Sequence, residues 1–471
     1  MRGIDEKFEK IFKCVLPTYF CSSVFANIIS FYLTGNRNEH LRWMISWGII
    51  SLLFCIAGLE FLILWKRNKK ERKRIVICAT PALLFFLMYM VKILFEDEDT
   101  FIIKTAILTI LYCMPMVTVA LYVLLEKKMI YLIASFKWLG VILLPFNMFA
   151  VLKLNQAVHK GLYIDSVGGI VYLSLAYTAV IIIAFCLADT FVNVSTKESI
   201  NIKNYIINIV LCICCSLLIV SCGARGAFGV EISLILFFII AMMWKKLYSK
   251  YLIGLLVCIP IFMAGSLFFL PQGDNGANRI KGLASDVKED KFKSSVNSPE
   301  SQEIVDQLME GDEGFQEGVH GLEDQDKSSE DKSNEDNTNL TEEQYNITNG
   351  NSARIYLYRL AISEANKRPL SGMGVLGYQT KYMTYPHNII LEVLADFGYP
   401  IAIIFLLFLI YLVWRLFIEA KENIYMLVIL VISLSEALRM MLSGNIYVEP
   451  YLIWGIVLVL GIKFLNLEKE M

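Results

Sequence analysis

Residues 351–400 read NSARIYLYRL AISEANKRPL SGMGVLGYQT KYMTYPHNII LEVLADFGYP, and the rest of the chain is organised around this stretch. It is amphiphilic, and it holds Arg354 and Arg359, a Pro369-x-x-Gly372-x-Gly374 turn and a Pro-His-Asn sequence at 386–388. A strongly acidic segment precedes it, and a long apolar run follows it directly. We therefore expect an ordered segment at the boundary between water and lipid, and we take it as the candidate reaction site.

The composition of the whole chain is that of a membrane protein. Of its 471 residues, 56% are hydrophobic and only 18% are charged, and the mean hydropathy is +0.56. A soluble domain carries about 25% charged residues, so this chain is solvated mostly by lipid. The formal net charge is −1, with basic and acidic clusters in different loops. That pattern carries information on topology and does not indicate a nucleic-acid partner.

The eleven cysteines give no sign of a metal site or a disulfide framework. Most of them, such as Cys212, Cys214 and Cys215, fall inside apolar runs without metal-ligand spacing. We interpret them as small core residues.

The apolar runs predict an all-α integral membrane protein with about twelve spans, since a bilayer span needs roughly 20 apolar residues. The predicted spans lie near 11–33, 44–65, 75–95, 101–125, 129–152, 167–189, 204–222, 226–244, 251–271, 389–414, 424–442 and 446–463. The chain then divides into spans 1–9 (1–271), a large loop (272–388) and spans 10–12 (389–471).

Lysine and arginine in the short loops predict the orientation of these spans. Seven basic residues crowd the connection at 66–74, which must then be cytoplasmic. Alternation from there places the acidic run at 96–99 and the large loop outside. Both termini are predicted to face the cytoplasm.

Within the large loop, 272–350 is predicted to be acidic and disordered. Residues 300–343 carry sixteen acidic residues against only Lys327 and Lys332, and such a segment cannot bury enough apolar surface to fold. Acidic runs attract calcium, but no EF-hand loop follows Asp324-Gln325-Asp326. Order is predicted to return at 351–388, with a surface helix that Asn351 or Ser352 caps and Pro369 ends.

Four charged or titratable groups converge on the outer side if this topology is right: Arg225, Arg354, Arg359 and His387. Arginine offers a permanent charge and a planar fork of donors that suits phosphate and diphosphate groups. The alternative is that these arginines contact lipid headgroups or neighbouring helices. His387 suits a general base or a hydroxyl partner, with packing or capping as the alternative. Within the spans, Glu436 and Arg439 lie three residues apart and are expected to neutralise one another.

The order of these motifs resembles that of the O-antigen ligase/polymerase superfamily. The matching residues are Arg354-x-x-x-Tyr358-x-x-Ala361, Pro369-x-x-Gly372-x-Gly374, His387-Asn388-x-x-Leu391-Glu392, Gly398 and, in place of the family's Ser-Arg-Gly, Ala224-Arg225-Gly226. The close resemblance covers about 50 residues of the 471. The chain departs from the family in having Tyr358 where Trp is frequent, Pro400 where Gly is frequent, and Ala224 in place of serine.

The resemblance implies an inverting, metal-independent glycosyltransferase in a GT-C-like helical bundle, without a cofactor. Members of the superfamily are bacterial inner-membrane enzymes that move glycans from undecaprenyl diphosphate to an acceptor outside the cytoplasmic membrane. Arg225 and Arg354 would then bind the diphosphate, and His387 would orient or deprotonate the acceptor hydroxyl. The remaining motif residues are assigned to substrate binding: Arg359, Tyr358, Gly372, Gly374, Asn388 and Glu392.

Four functional hypotheses are considered for a chain with this resemblance and topology. The first is a polymerase that joins lipid-linked repeat units into O-antigen-like or capsular polysaccharide, alongside a flippase and a chain-length regulator. The second is a ligase that passes finished glycan to an acceptor. A transporter of the same lipid-linked sugar would instead predict symmetric halves with broken spans in matching positions. A non-catalytic sensor that binds through the acidic loop would leave the arginines and His387 unexplained.

Overall fold

The computed structural model describes residues 2–35, 39–95, 100–126, 129–159, 166–168, 170–196, 201–269, 351–382 and 384–464. The segment predicted to be disordered, 272–350, lies outside the described residues, as does the acidic run at 96–99. Their predicted states therefore stay predictions.

The described chain is almost entirely helical. Its helices are α1 (Arg2–Val15), α2 (Ser22–Thr34), α3 (Glu39–Arg67), α4 (Arg72–Phe95), α5 (Thr100–Leu125), α6 (Met129–His159), α7 (Tyr172–Ser195), α8 (Ile202–Cys222), α9 (Arg225–Lys245), α10 (Lys250–Phe269), α11 (Asn351–Lys367), α12 (Gly377–Tyr382), α13 (Ile389–Ala420), α14 (Ile424–Ser443) and α15 (Pro450–Phe464). Short 3₁₀ helices cover Leu16–Cys21, Lys69–Glu71 and Ile446–Val448.

Eleven of the helical segments in the described part of the chain are long and apolar enough to cross a bilayer. This confirms an all-α integral membrane protein. The twelfth predicted span, 446–463, is shorter than expected, because its apolar helix α15 begins only at Pro450. Fifteen residues of helix rise about 22 Å, less than the roughly 30 Å hydrocarbon core.

The start of the sixth predicted span also differs from expectation. Instead of a helix from residue 167, the chain forms a two-stranded antiparallel hairpin of β1 (Ser166–Val167) and β2 (Ile170–Val171), and α7 begins after it. Gly168 lies in the turn of the hairpin with a φ of +61°. Glycine adopts this conformation without steric cost, and a right-handed helix cannot contain it.

By its contacts the chain forms two units, Met1–Lys281 with Ile403–Met471, and Gly282–Ala402. In the first unit, α7 is the central helix, because every side chain from residue 175 to 192 is buried. A helix that is apolar on all faces is buried by neighbours rather than by lipid alone. Its Phe185 ring stacks on Phe136 of α6, with ring centroids 3.6 Å apart.

In the second unit, the described helices are α11, α12 and the beginning of α13. The predicted helix from Asn351 to Lys367 is confirmed. A small core of Ala361, Tyr378 and Ala395 joins the three helices.

Candidate functional site

The second unit is organised around a break in α13. Gly398 has φ +76° and ψ 178°, which no helix contains, so the helical hydrogen-bond pattern is interrupted there. Pro400 adds to the break because it has no backbone N–H to donate to the carbonyl of Asp396. Backbone groups of α13 near this point therefore need partners from elsewhere.

The Pro-x-x-Gly-x-Gly turn supplies those partners. Met373 N donates to Ala395 O at 2.9 Å, and Gly374 N donates to Asp396 O at 2.8 Å. In the other direction, Tyr399 N donates to the carbonyl of Pro369 at 2.9 Å. These hydrogen bonds replace the helical ones that Gly398 and Pro400 remove, and they hold the turn against α13.

Two glycines make this close approach possible. A Cβ on Gly372 would lie 2.4 Å from the carbonyl carbon of Asp396, and a Cβ on Gly398 would lie 2.6 Å from the oxygen of Pro369. Gly374 is different, since a Cβ there would meet nothing within 4 Å, but its φ of +91° disfavours other residues. The motif glycines therefore have a backbone role, and their predicted part in substrate binding stays a prediction.

Buried side chains lock α12 to α13. The carboxylate of Asp396 accepts a 2.8 Å hydrogen bond from Tyr378 N, and the side chain of Gln379 donates to Glu392. Both Asp396 and Glu392 are fully buried. Glu392 thus has a structural partner, while the substrate contact predicted for it remains untested.

A buried carboxylate also joins α11 to α12. Oε1 of Glu364 accepts hydrogen bonds from Lys367 at 2.8 Å, Lys381 at 3.0 Å and Tyr382 at 2.8 Å. These donors outweigh the opposing effect of burial and lower the pKa of Glu364 to about 2. The carboxylate is therefore ionised throughout the physiological pH range.

His387 stands in the loop between α12 and α13 in a strained conformation. Its φ is +56°, the left-handed region that few non-glycine residues occupy and that costs on the order of 1 kcal/mol or more. The ring of Tyr385 packs against the imidazole, with centroids 4.2 Å apart. Its Nδ1 is buried and has no hydrogen-bond partner among the described residues.

The surroundings of His387 keep its imidazole neutral. Burial, followed by the positive charge of Arg354, lowers the pKa of His387 from 6.5 to about 4. Burial raises the pKa of Tyr358, whereas the charge of Arg354 opposes that rise. The structure therefore brings Arg354 near both His387 and Tyr358, two of the residues that the sequence motif singled out.

The other two predicted residues of this unit lie differently. Arg359 is exposed on α11, about 140° around the helix from Arg354. Oδ1 of Asn388 accepts from Ile390 N at 3.0 Å and from Leu391 N at 3.2 Å, so Asn388 caps α13, as expected for Asn before an apolar helix.

Arg225 belongs to the first unit, where it opens α9. Gly223 ends α8 in the left-handed conformation, with φ +62°, and Ala224 follows as an N-cap without a side-chain hydrogen bond. Unlike the serine usual in the family, Ala224 cannot accept from the first-turn N–H groups. Helix N-termini carry a partial positive charge, so the cation of Arg225 adds to a field that already favours anions.

Arg439 forms an ion-pair cluster in the same unit. Its Nε donates to Glu436 at 2.6 Å, which confirms the predicted neutralisation of these two residues. A second carboxylate, from Glu449, accepts from its Nη2. The rings of Tyr177 and Tyr451 lie 5.6 and 5.4 Å from the guanidinium carbon.

An apolar cavity of about 520 Å³ opens between the later part of α13 and helices α14 and α15. Leucine, isoleucine and aromatic side chains form most of its wall, and Glu436 is the only carboxylate among the described residues that line it. A cavity of this chemistry suits a hydrocarbon chain.

Sequence reasoning missed the residues that hold the site in shape. Glu364, Asp396, Tyr177 and Glu449 act through contacts with residues far away in sequence, which no local pattern reports. One available signal was Asp396 itself, an acidic residue in an apolar helix shortly before a Gly-x-Pro break.

Comparisons with known proteins identify a family. Residues 210–406 match the family model described as O-antigen ligase, a segment that includes Arg225, Arg354 and His387. A search of curated proteins finds no match. The match at 210–406 thus supports the O-antigen ligase/polymerase superfamily that the motifs indicated, and with it a multi-pass membrane enzyme of the type that acts on lipid-linked glycans.

Proposed function

We propose that this protein polymerises undecaprenyl-diphosphate-linked oligosaccharide repeat units into O-antigen-like or capsular polysaccharide at the outer face of the bacterial cytoplasmic membrane. The observation that carries the proposal is the half-buried His387, with its Nδ1 enclosed, beside the permanent charge of Arg354. A proton acceptor next to an anion-binding group is what glycosyl transfer from a diphosphate requires. The apolar cavity between α13, α14 and α15 offers room for part of a lipid carrier.

In the proposed reaction, a hydroxyl of the acceptor sugar attacks the anomeric carbon of the donor sugar and inverts its configuration. The new C–O bond forms as the bond from that carbon to the diphosphate oxygen breaks. The hydroxyl proton passes to His387, and the electron pair leaves on undecaprenyl diphosphate. Arg354 and Arg225 stabilise the negative charge that grows on this leaving group.

The environment of His387 couples its basicity to donor binding. With a pKa of about 4, the free imidazole is neutral at pH 7 but a weak base. A bound diphosphate offsets the charge of Arg354, which removes one of the two causes of the low pKa and favours the protonated imidazolium. Proton transfer from the acceptor therefore becomes more favourable once the donor is in place.

A ligase remains the second candidate, because the matching family model is described as O-antigen ligase. A ligase uses the same donor and the same leaving group, and differs in the acceptor. The residues described above act on the donor and on a hydroxyl, so they serve either reaction.

The test uses a strain that lacks this protein, complemented with the wild type or with His387→Ala, Arg354→Ala or His40→Ala. His40 is an exposed histidine of α3 and serves as the matched control. Lipid-linked glycan and surface polysaccharide are sized by gel electrophoresis and mass spectrometry. Single repeat units on the outward-facing carrier, in the deletion and in both site variants, are expected for a polymerase.

Three other outcomes would overturn parts of the proposal. Full-length chains retained on the carrier would identify a ligase. Oligosaccharide retained on the cytoplasmic leaflet would identify a transporter and remove the roles assigned to His387 and Arg354. Full polymer yield from His387→Ala would remove the general base alone.

A further inference from the structure

The second residue of α9 is a glycine for which the structure gives a specific reason. A Cβ on Gly226 would lie 2.6 Å from the hydroxyl oxygen of Tyr177, and the next nearest atom, Cζ of the same ring, would be 3.7 Å away. Alanine is the better helix former by about 1 kcal/mol, so a glycine here reflects the space that Tyr177 takes. The backbone that carries Arg225 thus rests directly on the Tyr177 hydroxyl.

Tyr177 is itself held by a contact over the face of its ring. Its ring lies 5.6 Å from the guanidinium carbon of Arg439, within the range of a cation–π interaction. Tyr451 lies 5.4 Å from the same carbon, so the guanidinium contacts both rings. Carboxylates of Glu436 and Glu449 bind its edge.

This cluster is rigid for a physical reason. The side chains of Arg439, Glu436 and Glu449 are only 13%, 6% and 4% exposed. A buried charge that loses its partner costs several kcal/mol, so these ion pairs resist rearrangement. Tyr177, whose ring contacts this guanidinium, is therefore held in place when a larger residue is introduced at position 226.

We propose that Tyr177 is a positioning residue for Arg225, seated between Gly226 and the Glu436–Arg439–Glu449 cluster so that the first turn of α9 presents Arg225 to a diphosphate. This inference rests on the proposed function in one respect, the binding of a diphosphate by Arg225. The contact itself is independent of that assignment.

The size of the effect follows from the distances. An ordinary contact begins at 3.4 Å, so a Cβ at 2.6 Å must move by about 0.8 Å. A misplacement of about 1 Å in a binding or catalytic group costs up to about 100-fold. We expect Gly226→Ala to weaken diphosphate binding roughly 10- to 100-fold.

The test is a double-mutant cycle with Gly226→Ala, Tyr177→Phe and both together, in the full-length protein in lipid nanodiscs. Affinity for undecaprenyl diphosphate is titrated, and the melting temperature without ligand is recorded for each variant. Removing the hydroxyl leaves ring carbon 3.7 Å from the new methyl group, so Gly226→Ala should change affinity less than about twofold in the Tyr177→Phe background. Gly229→Ala, one turn further along α9, meets nothing within 4 Å and should leave affinity unchanged.

An equal loss from Gly226→Ala in both backgrounds would overturn the inference, as would no loss in either. If Gly226→Ala does not fold alone, recovery of folded protein by Tyr177→Phe supports the contact, and failure to recover refutes it. Arg439→Lys keeps the charge but removes the planar group that fixes Tyr177, so unchanged affinity in that variant would also count against the inference. Full affinity in Arg225→Ala would instead remove the proposed diphosphate site, and the melting temperatures of the cycle would then still test the contact between Tyr177 and Gly226.

Discussion

The titration of His387 is the sharpest available test of the site. The prediction is that His387 titrates near pH 4, and that Arg354→Gln raises its pKa by removing a nearby positive charge. Glutamine is shorter than arginine but keeps N–H donors and carries no charge, so the change in the pKa of His387 is mainly electrostatic.

The structure sets bounds on that rise. The pKa lies about 2.5 below the reference value of 6.5, which corresponds to about 3.4 kcal/mol against the imidazolium. Burial is the larger of the two causes and Arg354 the smaller. Arg354 therefore accounts for less than half of the difference, and the pKa in Arg354→Gln should stay below about 5.3.

The assay is NMR of protein labelled with isotopic histidine, in which His387 is one of four histidines. A His387→Gln sample assigns its signal, and chemical shifts are followed from pH 3.5 to 8. Arg359→Gln serves as the matched control, because Arg359 is exposed and contributes nothing to the pKa of His387. Its titration curve should overlay the wild-type curve.

Three results would refute the reasoning. A wild-type pKa near 6.5 would mean that His387 is solvated. An unchanged pKa in Arg354→Gln would mean that the arginine does not face the imidazole. A pKa at or above 6 in that variant would mean that charge, rather than burial, keeps the histidine neutral.

Further predictions concern stability in the second unit. Gly372→Ala and Gly374→Ala both place alanine at positive φ, at about 1–2 kcal/mol each, but only the first also meets backbone of Asp396. Gly372→Ala should therefore lower the free energy of unfolding more, by on the order of 4 kcal/mol. A melting temperature lower for Gly374→Ala than for Gly372→Ala would contradict this. Glu364→Gln removes the counter-ion of two lysines. The amide hydrogens of α12 should therefore exchange faster, by the equivalent of about 1–3 kcal/mol in the free energy of local opening. Unchanged protection would show that the carboxylate does not hold α12 in place. Because the folded pKa of His387 is below its unfolded value, stability should fall as the pH drops from 6.5 to 4, and thermal unfolding of His387→Gln should lack this component.

The sequence by itself determined that the protein is a helical membrane protein, and where most of its spans lie. Each span is a local property, because some 20 consecutive apolar residues must satisfy their backbone hydrogen bonds internally in lipid. The helix from Asn351 to Lys367 was equally local and was predicted correctly. The motif around Arg354 and His387 likewise indicated the superfamily, which the match at 210–406 confirms.

Only the tertiary structure decided why the glycines and the break in α13 occur together. The carbonyls of Ala395 and Asp396 lose their helical donors, and the N–H groups that replace them come from residues more than twenty positions earlier. The contact of Tyr177 with Gly226 and the pairing of Arg439 with Glu449 are of the same kind. Such contacts depend on which helices pack together, and a periodic pattern along one helix carries no information about its neighbours.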